Sequence, residues 1–251
     1  YESWGEWQAA IDTYRRYLDL NSAARPYVEW RIAKAQQTLQ DDEGALATLT
    51  AMALDDLPAS FRAEILEEMA QVQRRLQNYT EARATYDRIL VFAEQPAYRA
   101  LVAQMKAAAQ QEAGQLDEAM VGFTLVLEQA PDAYAAYLSL SAMQELGKEP
   151  LDGLMRARAL IAGREYTLAE AALQDYVQNN AEGDLAEAHY LMTRADALRM
   201  ALAGEERALA FFQNLVQTAT DPEMKKLAAH FAEEEAEHVE LCHRLIRKYQ
   251  D

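Results

Sequence analysis

An all-α fold, made of antiparallel helix pairs stacked side by side and ended by a long helical hairpin or capping helix, is predicted by three observations. Composition is the first. Alanine, the best intrinsic helix former, supplies about a fifth of the chain, and only 9 glycines and 6 prolines interrupt its 251 residues. A sandwich or barrel would instead need β-branched runs punctuated by turns. The second observation is a set of alanines recurring at the period of a two-helix unit. The third is a pair of long polar helical stretches hinged on Thr220-Asp221-Pro222-Glu223.

Charge and cysteine content narrow the function classes. Lys and Arg total 24 against 41 Asp and Glu, a net charge of −17. Nucleic acid is excluded as a partner, because phosphates call for a basic stripe. The single cysteine, Cys242, rules out an intramolecular disulfide and a cysteine-based zinc site. No apolar stretch approaches the length of a membrane span. The chain begins at Tyr1 rather than Met, so the N-terminus does not say whether the protein works in the cell envelope or the cytoplasm.

Taken in order, the repeat helices share one grammar. A small residue ends one helix, an alanine follows about five positions later, and a large residue comes four after that. Gly5, Ala10 and Tyr14 fit it, Ala45 and Leu49 more loosely, and Tyr79, Ala82, Tyr86 and Ile89 clearly. The strongest unit runs over residues 114–131, with Gly114 at the turn, Ala119 at a close helix crossing, Phe123 one turn on and Pro131 as the stop. An extra helix is expected around 133–146 and another near 151–161, before a last unit with Gly163, Ala169, Leu173 and Tyr176. The key alanines, 10, 45, 82, 119 and 169, are separated by 35, 37, 37 and 50 residues.

These residues resemble the tetratricopeptide repeat, over roughly residues 5–180. The stretch 163–177, following 151–161, also resembles the α-superhelical region of soluble lytic transglycosylases. The resemblance implies a solenoid over residues 1–182, in which each helix pair packs on its neighbours and leaves an extended curved surface for a protein or peptide partner. The acidic charge would favour basic partners. Trp4, Trp7, Trp30 and the many tyrosines could line a groove, but at helical spacing they are expected in the core, with Trp4 and Trp7 alternatively marking an edge. No phosphate loop, nucleophile elbow or Cys–His pairing occurs in the first 180 residues.

Chemistry concentrates in residues 183–251. Thr220 and Glu223 read as a capping box and Pro222 as a first-turn residue, so two antiparallel helices should diverge from this point. Glu205 and Glu235 each stand 15 residues from position 220, and are therefore level across the hairpin. Glu235 and His238, three apart, share a helix face. A carboxylate facing a Glu-x-x-His pair is half of a carboxylate-bridged di-iron site. Residues 205–239 resemble the rubrerythrin and ferritin-like family, which implies Glu205, Glu235 and His238 as metal ligands and iron as the cofactor. The family normally supplies a second such helix pair, and none follows here, so a complete site implies a homodimer. Glu206 or Glu234 would replace their neighbours were the helix phase one residue off.

An alternative treats Gly204 as an inter-helix turn, Ala208, Phe212 and Leu215 as a last repeat, and 223–249 as a polar capping helix. His189 then belongs to a repeat helix, and His230 and His243 to the surface. The expected function is a non-catalytic interaction scaffold. Its alternative is a di-iron protein completed by dimerisation. A further one is the accessory superhelix of a cell-wall lytic enzyme.

Overall fold

The computed structural model describes residues 5–19, 24–148, 153–180 and 183–248, with side chains described up to residue 240. Trp4 and the side chains of Cys242 and His243 lie outside that description. Among the described residues there are twelve α-helices and no strand. The chain forms two compact units, residues 1–122 and 123–251.

In the first unit α1 (Trp7–Leu18), α2 (Arg25–Thr38), α3 (Asp42–Ala51), α4 (Ala59–Arg75), α5 (Tyr79–Phe92) and α6 (Pro96–Glu112) each pack on the next. The boundary falls within α7 (Leu116–Gln129). The second unit continues with α8 (Tyr134–Glu145), α9 (Gly153–Ala162), α10 (Tyr166–Asn179), α11 (Leu185–Thr218) and α12 (Pro222–Lys248), again neighbour on neighbour. This consecutive packing is an all-α helical-repeat architecture.

The predicted alanines sit at the helix contacts. Ala45, Ala82, Ala119 and Ala169 have no accessible surface and Ala10 almost none. Only a methyl group at these positions lets two helices approach closely. Leu49, Tyr86 and Leu173, one turn on, are also fully buried. Trp30 lies in the main core of the first unit with Ile65, Leu66 and Val102, and Trp7 packs on the smaller cluster around Ile11 and Ile32.

The turns inside the repeats are more uniform than the sequence suggests. Gly5, Gln40, Gln77, Gly114 and Arg164 all adopt left-handed backbone conformations, each five residues before a key alanine. At Gln40 the amide of Asp41 reaches back to the Gln36 carbonyl. The amide of Asn78 does the same to Gln73, Gln115 to Gln110 and Glu165 to Leu160, all at 2.8–2.9 Å. This is the Schellman closure, which satisfies the carbonyls a helix end leaves over. The left-handed residue of the last unit is therefore Arg164, where the sequence suggests Gly163. Gly163 is needed for another reason: a Cβ there would fall 2.1 Å from the Tyr137 ring.

Candidate metal centre

Two long helices build the site. Asp184 caps α11, its carboxylate accepting the Glu187 amide at 2.9 Å, and helix propagation then runs unbroken to Thr218. Ala188, Leu191 and Ala195 are buried, and this first part of α11 packs against α10 and α9. The remainder pairs with α12. Gly204 lies inside α11 with ordinary helical geometry, and a Cβ added there would meet nothing within 4 Å. The break at Gly204 that a last repeat would require is absent. Ala208, the key alanine of that alternative, is only half-buried, unlike its five counterparts.

The hairpin turn is capped differently from the predicted box. Asp221, not Thr220, accepts the Glu223 amide, at 2.9 Å, and Pro222 opens α12. Proline suits that position because its missing N–H would have had no intrahelical partner. Ala228 is buried, a small side chain that lets the two helices close on each other.

Fifteen residues from the turn on either arm, the helices bring together Glu205, Glu235 and His238. One ligand atom from each lies within 4.8 Å of the others. The His238 Nδ1 stands 3.3 Å from Glu235 Oε2 and 3.9 Å from Glu205 Oε2. Glu235 and Glu205 have 20% and 35% of their side chains exposed and His238 58%, so the cluster opens to solvent on the imidazole side. Glu206 and Glu234, the neighbours considered for these roles, point away. Both are exposed, and Glu234 lies 3.4 Å from His230 Nε2 on the outer surface. His189 is exposed near the start of α11, its Nδ1 2.6 Å from the Leu185 carbonyl.

The donor set is chemically selective. Two carboxylates and one imidazole form a mixed N/O set suited to first-row divalent and trivalent ions, iron among them. Three donors from one side of an ion leave coordination positions free. Towards the turn, the same faces become aromatic. Phe212 is two helical turns after Glu205 and Phe231 one turn before Glu235, and their rings lie 5.2 Å apart. Phe211 packs edge-on against Phe212 at 5.2 Å and is 61% exposed.

No protein-family model matches this chain, and no curated protein matches it. No helix among the described residues is long and apolar enough to cross a membrane.

Sequence reasoning missed a second recurring feature. Gln36, Gln73 and Gln110, spaced by 37 residues, are all buried although polar. The Thr48 hydroxyl donates to Gln36 Oε1 and the Thr85 hydroxyl to Gln73 Oε1, both at 2.8 Å. At the third position the threonine is replaced by Gly122, whose added Cβ would lie 2.7 Å from Ala107. The 37-residue spacing was the available signal, hidden because glutamine reads as a solvated helix residue.

Proposed function

We propose that the C-terminal hairpin is half of a ferritin-like di-iron centre, completed by the hairpin of a second copy, and that the tetratricopeptide-like repeats carry it to a protein partner. The observation that carries this reading is the convergence of Glu205, Glu235 and His238 across an unbroken hairpin. Doubled about a two-fold axis, this set becomes four carboxylates and two imidazoles, the complement of a carboxylate-bridged pair of irons. Iron would supply one-electron chemistry towards oxygen or peroxide.

What the chain itself does is bind and orient. Glu205 and Glu235, the less exposed pair, offer oxygen donors, and His238 offers one nitrogen at the open side. The exposed Phe211, Leu227 and Phe231 beside the cluster support association of two hairpins, since burying large apolar groups is the usual drive for such contacts. The repeats are read as a docking scaffold because stacked helix pairs present an extended surface.

Calorimetry under anaerobic conditions tests the metal reading. Wild-type protein should take up about one Fe(II) per chain, since a two-metal site is shared by two copies. The variant Glu235→Ala/His238→Ala should take up none while keeping the helical circular-dichroism signal of the repeats. Equal uptake by both proteins would refute it.

A further inference from the structure

A groove in the first unit has no role in the metal reading. It lies where α4 begins, beside the end of α5 and the start of α6, and encloses about 560 Å³. Ala63, Phe92 and Tyr98 form apolar walls, and Glu64, Glu67 and Glu94 supply three carboxylates. The Tyr98 hydroxyl donates to Glu67, fixing that carboxylate against the aromatic wall. Burial first, then this carboxylate, hold the Tyr98 phenol far above its ordinary range, so it stays a neutral donor.

Two arginines stand near: one stacks on the groove's own Phe92 wall and the other closes the end of α5. Arg62 lies over the Phe92 ring at 4.1 Å. Arg99 donates to the carbonyls of Leu90 and Ala93 at 2.7 and 2.8 Å, closing the end of α5. Neither forms an ion pair with Glu64, Glu67 or Glu94, and no other lysine or arginine among the described residues does so. Nor do these three carboxylates converge as the hairpin triad does, where ligand atoms fall within 4.8 Å. Their spread around apolar walls suits a cation carried on an aliphatic stem rather than a bare metal ion.

We infer that this groove docks a basic peptide segment of a protein partner, with a lysine or arginine side chain lying along Tyr98 and ending among Glu64, Glu67 and Glu94. The inference rests on the docking role of the repeats and is independent of the metal reading.

The test is fluorescence anisotropy of the full chain with a fluorescein-labelled peptide, Ser-Ala-Leu-Lys-Arg-Leu-Ala-Ser. Because a chain of net charge −17 attracts any cation, two variants losing equal charge are compared. The groove variant is Glu64→Gln/Glu67→Gln/Glu94→Gln. The control is Glu118→Gln/Glu128→Gln/Glu145→Gln, at exposed positions outside the groove. Glutamine keeps an acceptor for the Tyr98 hydroxyl, so folding should survive and circular dichroism checks it. Saturable wild-type binding should weaken about tenfold in the groove variant and by less than about twofold in the control. Glu235→Ala/His238→Ala should bind as wild type. Equal weakening in groove and control variants would overturn the groove while leaving the repeats as a binder of basic partners. Absence of wild-type binding would overturn both. Displacement by spermidine at the concentration at which unlabelled peptide displaces would overturn the peptide as occupant.

Discussion

Ala119 shows what one methyl group contributes at a helix crossing. It has no accessible surface, so Ala119→Glu would bury a carboxylate with no partner, at a cost of about 3–5 kcal/mol. Thermal unfolding should lose its cooperative transition or shift far down, and an unchanged melting temperature would contradict the helix contact. Gly204 makes the opposite case. It sits in a helix interior with open space where a Cβ would go, so Gly204→Ala should raise stability by about 1 kcal/mol. A lowered melting temperature would mean that α11 bends there. Asp42 supplies a pH dependence. Arg75 grips its carboxylate at 2.7 and 2.9 Å, and that hydrogen bond, before any longer-range attraction, holds its pKa below the ordinary value. A depressed carboxylate stabilises the fold above its unfolded pKa, about 4, and loses that contribution as pH falls through the lower folded value. The difference in melting temperature between wild type and Arg75→Ala should therefore be largest at neutral pH and shrink in acid, to the part carried by the Arg75 hydrogen bond to Gln37 Oε1. It should correspond to no more than about 1 kcal/mol, because Arg75 is partly exposed.

At the scale of elements, the key alanines were legible because a helix crossing tolerates few side chains, which leaves a periodic mark. The hairpin triad was legible for a similar reason: two helices of known rise, leaving one turn, put residues equidistant from it at one level. The turns were not. Left-handed Gln40, Gln77 and Arg164 carry no glycine, since the Schellman hydrogen bonds and the packing around them outweigh the modest cost of a Cβ in that conformation. The buried glutamines were equally hidden, because only the tertiary fold brings Thr48 and Thr85 to them. Thr85→Val tests that feature. It keeps the shape but leaves Gln73 Oε1 without its donor, at a cost of about 1–3 kcal/mol. A melting temperature equal to wild type would show that the recurring glutamine is incidental. The groove at Glu64, Glu67 and Glu94 escaped sequence reading too, for those residues belong to a helix and a loop that share no local pattern.

For the whole molecule, α11 links two kinds of surface. Its beginning is packed among the repeat helices of the second unit, and its remainder forms the arm that carries Glu205 beside Glu235 and His238. The proposed function needs that arm to meet another, because one chain presents three ligands on one side of an ion. Without metal, four carboxylates brought together would repel; an ion bound between them stabilises the dimer by mass action. The direct measurement is therefore the solution mass of the purified chain, followed by sedimentation equilibrium with and without anaerobic Fe(II). Fe(II) should shift the protein towards a dimer, the melting temperature should rise with the shift, and Glu235→Ala/His238→Ala should show neither change. A wild-type chain that stays monomeric with Fe(II) and gains no thermal stability from it would contradict the metal-centre reading.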